Sequence, residues 1–136
     1  MKAVWDESLS VGVAEIDDQH KQIFKNYNEF SVACRDGHGA DKLNDLLWFL
    51  SSYVATHFAH EERLMQRINY PGYANHCLMH TEFIGEIDKL MHRFSKEGPS
   101  EELVSTVNKI VKNWLMNHID LMDRSIGKFV RQQNMI

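Results

Sequence analysis

Apolar residues recur every three or four positions through four long stretches of this chain, with polar residues on the faces between them. A period near 3.6 residues predicts amphipathic helices. The first spans about 18–36, with His20, Ile23, Phe24, Tyr27, Phe30 and Cys34 facing inward. The second spans about 42–66. Its stripe is Leu43, Leu46, Leu47, Leu50, Tyr53 or Val54, His57, Glu61 and Leu64, running on to Ile68. The third, about 72–95, presents His76, His80, Phe83, Ile84, Ile87, Leu90, Met91 and Phe94. The fourth, about 101–132, presents Leu103, Val107, Ile110, Val111, Trp114, Leu115, His118, Ile119, Met122, Ile126 and Phe129.

The breaks carry the expected punctuation. Asp17 reads as the cap of the first helix and Asp41 as the cap of the second. Gly37 and Gly39 end the first helix. Asn69-Tyr70-Pro71-Gly72 parts the second from the third, with Pro71 an early helical residue of the latter. Gly98-Pro99-Ser100 parts the third from the fourth, with Ser100 as cap and Glu101 and Glu102 at the positive helix end. Residues 1–16 have no clean period and predict an extended arm packed on the body through Trp5, Leu9, Val11, Val13 and Ile16. Short loops force neighbouring helices to run antiparallel. The expectation is one all-α domain over 1–136, an up-down-up-down antiparallel four-helix bundle with an N-terminal extended arm.

Composition narrows the function classes. A chain of 136 residues can bury a real core. Its net charge of −4 argues against nucleic acid, which requires a basic face. Two cysteines, Cys34 and Cys77, are too few for a disulfide scaffold and point to a reducing compartment. No apolar run reaches signal-peptide or membrane-span length, so a cytoplasmic protein with no membrane span is expected. No long apolar stripe is left over for an interface, which predicts a monomer.

The eight histidines change the picture. His20, His57, Glu61, His76, His80 and His118 occupy inward positions where a plain core would carry Leu or Ile. Each such group, buried without a partner, costs roughly 1–3 kcal/mol or more. Metal coordination would compensate them together. His57 with Glu61, and His76 with His80, are i, i+4 pairs on one helix face. In an antiparallel bundle the start of helix one is level with the end of helix two and the start of helix three. His118 lies roughly 25 Å along the fourth helix, which returns it to that same end. The six groups therefore share one layer. Asp123 is less plainly a member, since five residues place it about 140° round an ideal helix from His118. Asp120 also lies off that face, and Met122 is a poor ligand for a hard site. If Asp123 joins the layer, a π-type turn between it and His118 is expected.

Asp17-Asp18-Gln19-His20, His57-Phe58-Ala59-His60-Glu61-Glu62, His76-xxx-His80 and Trp114-Leu115-Met116-Asn117-His118-Ile119-xxx-Asp123 together resemble the signature set of the hemerythrin family, in particular its bacterial single-domain members. Val4-Trp5 and Tyr70-Pro71 fit the same resemblance, which covers essentially the whole chain. It implies two iron ions in a non-haem, oxo- or hydroxo-bridged di-iron centre. His76, His80 and His118 would bind one iron, His20 and His57 the other, and Glu61 and Asp123 would bridge them. The two-histidine iron would keep an open position for O2, in an apolar pocket of Phe58, Trp114, Leu115 and Ile119. The function implied is reversible O2 binding for storage, supply or sensing, with O2 as ligand and an oxygen-consuming enzyme as a candidate partner. The alternatives are a di-iron oxidoreductase acting on peroxide, O2 or nitric oxide, and iron storage. No acid, base or electron relay is evident in the apolar pocket, which favours binding over catalysis.

The other polar candidates read as ordinary. His38, between two glycines, and His92 are expected in solvent, and His60 and Glu62 at or near the surface. Cys34 and Cys77 read as packed small hydrophobes. His60-Glu61-Glu62-Arg63-Leu64 lacks the second histidine of a zinc-protease motif.

Overall fold

The computed structural model describes residues 5–134; Val4 and the rest of 1–4 lie outside the described residues. Four helices form an up-down-up-down antiparallel bundle. We label them α1 (Ala14–Arg35), α2 (39–67), α3 (Tyr73–Glu97) and α4 (101–134). Two of them contain π-helical stretches, Leu50–Val54 in α2 and Leu115–Asp123 in α4. Among the described residues the only structure outside these helices and their loops is the arm, which carries a 3-10 turn at Glu7–Leu9 capped by Asp6.

The helix ends differ from the sequence expectation in three places. Helix α1 starts at Ala14, not at 18, and Asp17 sits inside its first turn. The Asp17 carboxylate accepts hydrogen bonds from Ser10 Oγ (2.5 Å) and from the Val11 amide (2.9 Å), so it ties down the arm instead of capping the helix. Helix α2 starts at Gly39, with Asp41 in its first turn and no side-chain cap. Gly39 is a close-approach residue and not part of the α1 stop: a Cβ there would lie 2.8 Å from both Cys34 Sγ and Val104 Cγ1. The α1 stop is Gly37, at φ +83°, where left-handed backbone closes a Schellman turn through His38 N–H to Ala33 C=O. Pro71 lies in the turn before α3, whose cap position is Gly72. The equivalent turn after α2 is made by Asn69, at φ +53°, with Tyr70 N–H donating to Met65 C=O. Ser100 caps α4 as expected, accepting from the Leu103 amide at 3.1 Å.

The core is split in two. A large cluster fills most of the bundle with Ile23, Phe24, Tyr27, Leu47, Val54, Phe58, Phe83, Val111 and Leu115 among its members. A smaller cluster at one end joins Val11 of the arm to Ile16, Leu64, Met65, Ile126 and Val130. In every helix the candidate layer falls between these clusters. Ile16 precedes His20 and Ile23 follows it; Phe58 precedes Glu61 and Leu64 follows it; Leu115 precedes His118 and Ile126 follows Asp123. The polar groups thus sit in a dry slab with an apolar plug at the bundle end, and the arm completes that plug.

Candidate metal centre

All seven sequence candidates meet in this slab. His20, His57, Glu61, His76, His80, His118 and Asp123 are each no more than 1 % exposed. Asp120 and Met122 are not members; Asp120 pairs instead with Arg124 at 2.8 Å near the surface. The chain reaches Asp123 by the required distortion. The Leu115–Asp123 stretch is π-helical, and its i→i+5 ladder brings residues five apart onto one face. His118 Nε2 and Asp123 Oδ1 are consequently 3.3 Å apart.

The imidazoles converge through the same atom. His20 Nε2 lies 3.0 Å from Asp123 Oδ2 and 3.3 Å from Glu61 Oε2. His57 Nε2 is 3.4 Å from Glu61 Oε2. His76 Nε2 is 2.9 Å from both Glu61 Oε1 and Asp123 Oδ1, and His80 Nε2 is 3.0 Å from Glu61 Oε1. The donor atoms fall into two overlapping groups. One is Glu61, His76, His80, His118 and Asp123; the other is His20, His57, Glu61 and Asp123. Both carboxylates belong to both groups.

The charges are mutually held. Burial raises the pKa of the Glu61 carboxyl, but the imidazoles of His118, His20, His57 and His76 around it outweigh this and keep the group well below the usual range. Burial and the Glu61 charge likewise oppose ionisation of Asp123, and His118, His20 and His76 overcome them to lower its pKa. Burial would lower His20 and His76, yet their contacts with Asp123 and Glu61 push them up to about 10 and about 9. His57 is lowered, chiefly by burial.

These groups suit a cation better than each other. Both Asp123 oxygens and His57 Nε2 are buried without a hydrogen bond, despite neighbours at ion-pair distance. His118 Nε2 lies 3.2 Å from His76 Nε2 and 3.1 Å from His80 Nε2. Three imidazole nitrogens that crowd one another are an awkward hydrogen-bonding set. Ligands at right angles on an ion with bonds of about 2.1 Å, however, stand about 3 Å apart. Imidazole and carboxylate donors without thiolate suit a first-row divalent metal ion, iron among them. The centre itself contains neither cysteine: Cys34 and Cys77 are free, half-buried and packed against the two apolar clusters.

The expected pocket residues border the slab. Phe58, Leu115 and Ile119 are buried and Trp114 is half-buried. Phe58 stacks on His80 (centroids 3.8 Å apart, 5° between planes) and Trp114 on His118 (5.0 Å, 12°). These two rings therefore wall the three-histidine group, whereas the sequence expectation set this pocket at the two-histidine group, which Phe58 approaches only at 5.8 Å from His57. A cleft of about 500 Å³ between α3 and α4 reaches the same Trp114 and His118 from outside.

Two side chains lie directly behind the centre, Glu62, which the sequence set at or near the surface, and Gln19, to which it gave no role. Gln19 Oε1 lies 2.8 Å from His57 Nδ1, and Glu62 Oε2 lies 2.8 Å from His80 Nδ1. His60 is drawn in as well: its Nδ1 is 2.6 Å from Gln19 Nε2 and 3.1 Å from Glu15 Oε1. Both Gln19 and Glu62 adjoin a layer residue in the chain, which was the only signal available for them. His38 and His92 are exposed, as expected.

Comparison with known proteins agrees with this geometry. A family model described as "Hemerythrin HHE cation binding domain" matches residues 11–130. A bacteriohemerythrin of Stenotrophomonas maltophilia is 31% identical over 128 residues, covering 94% of this chain and 81% of that protein. A myohemerythrin of Sipunculus nudus is 36% identical over 120 residues, covering 88% and 87%. A solved structure titled as wild-type hemerythrin superposes with a TM-score of 0.73 at 29% identity, covering 96% of this chain and 98% of that one. With the buried histidine–carboxylate slab, the π turn that completes it and a family match across the bundle, the chain belongs to the hemerythrin family.

Proposed function

We propose that this protein binds O2 reversibly at a non-haem di-iron centre, as a single hemerythrin-like domain over 1–136. In this reading His76, His80 and His118 hold one iron, His20 and His57 hold the other, and Glu61 and Asp123 bridge the two. The observation that carries it is the overlap of the two donor groups, which share both carboxylates. Three histidines and two bridges fill one position, and two histidines leave the other short of a ligand. When bound, the iron pair supplies the reversible two-electron chemistry that O2 capture needs.

The chain's own residues do the rest. Glu61 and Asp123 neutralise cationic charge in a slab with no water-exposed donor. Phe58, Leu115 and Ile119 exclude water, and Trp114 closes the outer side. An apolar wall admits O2 and disfavours charged products. None of those four wall residues is an acid or a base, which favours a carrier over an oxidoreductase or an iron store. Among the described residues no helix is long and apolar enough to cross a membrane. We take the protein to be a cytoplasmic monomer that supplies O2 to an oxygen-consuming enzyme, or stores or senses it.

The test is anaerobic loading with Fe(II), metal analysis, and cycling between air and vacuum. Two irons per chain and a visible absorption band that appears in air and vanishes under vacuum are expected. Irreversible oxidation within one cycle would replace the carrier reading with that of an oxidoreductase.

A further inference from the structure

A histidine that coordinates through Nε2 must carry its proton on Nδ1. In a neutral imidazole the partner on one nitrogen decides the state of the other. The five layer histidines point Nε2 inward, but their outer nitrogens differ. Nδ1 of His20, His76 and His118 is buried with no hydrogen-bond partner. Only His57 and His80 have a side-chain partner there, and each belongs to a different donor group.

We infer that Gln19 and Glu62 are positioning residues, one for each half of the centre, and that the difference between amide and carboxylate makes the two halves electronically unequal. The inference rests on the di-iron reading above. Ionised Glu62 only accepts, so at 2.8 Å it requires the proton of His80 on Nδ1 and leaves Nε2 free as a ligand. Gln19 could present either end of its amide to His57. In the structure Gln19 turns Oε1 to His57 Nδ1 at 2.8 Å, where it accepts the Nδ1 proton, and Nε2 toward His60 Nδ1 at 2.6 Å. The reversed amide would donate to His57 Nδ1 and place the His57 proton on Nε2, where it blocks coordination. Glu62 lies on α2 and reaches across to α3, whereas Gln19 lies on α1 and reaches to α2. The two locks thus also fix helix pairs that each donor group needs aligned.

The partners differ in charge. A carboxylate behind an imidazole raises its basicity and favours the more highly charged metal ion. A neutral amide does so less. The His76–His80–His118 half is therefore biased toward the oxidised ion by Glu62, which is one-third exposed in its side chain. The His20–His57 half has no such carboxylate on its outer nitrogens.

The test compares Fe(II)-loaded full-length wild type with Glu62→Gln, Glu62→Leu, Gln19→Glu and Gln19→Leu. Two readouts are taken: iron retention against a graded Fe(II) chelator, and the midpoint potential by spectroelectrochemical titration. The leucine variants should lose iron affinity by about 10–100-fold. Glu62→Gln keeps an acceptor for His80 and should retain affinity within a few-fold of wild type while its potential rises. Gln19→Glu should lower the potential. Glu62→Gln is nearly isosteric at a position one-third exposed, so the inference remains testable even if a leucine variant melts early. Leucine variants that match wild type within twofold overturn it, as do potentials that move in the same direction in Glu62→Gln and Gln19→Glu. A wild type that loads no iron overturns the di-iron reading itself; a wild type that loads two, with indifferent variants, overturns only this assignment.

Discussion

Replacing Gly127 by alanine sets helix propensity against packing, and the structure says which wins. Gly127 lies inside α4 beneath the arm. A Cβ there would stand 2.5 Å from the Ser10 carbonyl oxygen and 2.9 Å from Val11 Cα. Both obstacles are backbone, so no side-chain rotation relieves them. The arm is held at this point by the Asp17 carboxylate and by Arg131 Nη1 donating to Ser10 O at 3.3 Å. Gly→Ala in a helix interior contributes about 1 kcal/mol in favour of folding. Forcing the arm outward costs about 1–3 kcal/mol as overpacking. Drawing fully buried Val11 out of its cluster adds about 1.5 kcal/mol. The net is a loss of about 1.5–3.5 kcal/mol. With about 2.1 cal/mol/K of unfolding entropy per residue over 136 residues, that lowers Tm by about 5–12 °C. Gly85 is the internal control, since a Cβ there meets nothing within 4 Å. Gly85→Ala should stabilise by up to about 1 kcal/mol. The assay is thermal unfolding followed by helical circular dichroism on both variants in parallel. A Gly127→Ala protein that melts at or above wild type would refute the placement of the arm over α4.

The remaining predictions concern the centre. His118→Ala and Glu61→Ala should each retain fewer than two irons per chain on metal analysis; two full irons in either would refute the ligand assignment. The metal-free protein should lose stability as pH rises through about 9 to 10. His20 and His76 are raised to about 10 and about 9, so their contribution is complete below pH 6.5 and is lost as each deprotonates. Chemical denaturation at pH 7 and at pH 10.5 measures this, and an unchanged midpoint would contradict it. Iron uptake must expel the same two protons, so apparent affinity should rise across that window.

The bundle and the slab were legible because both are periodic. Apolar residues at i, i+3 and i+4 mark a helix face, and histidines interrupting that stripe mark a layer. What the sequence hid is not periodic. An aspartate just before an apolar run reads as a cap, yet Asp17 and Asp41 lie within the first turn of their helices, and only the fold shows that Asp17 holds Ser10 and Val11. Gln19 is 38 positions from His57 in the chain, and Glu62 is 18 from His80, so no local pattern reports either contact. The two π segments lie between these extremes, because each left a trace as a failure of the period. Tyr53 and Val54 competed for one inward position of α2, and Asp123 stood about 140° from the face of His118 on an ideal helix. At both points the backbone adopts a π stretch, which buries Val54 at 1 % exposure and Asp123 at 0 %. A π stretch has poorer intrinsic stability than the α-helix around it and persists only where other contacts require it. In α4 the requirement is the donor layer itself. The stripe of α4 has to bury Leu115 and Ile119 against the large cluster and Ile126 and Val130 against the plug, while presenting both His118 and Asp123 to the slab between them. An unbroken 3.6-residue period cannot keep His118 and Asp123 on one face. The place where the helical pattern fails is therefore the place where the fold gives up regularity for chemistry.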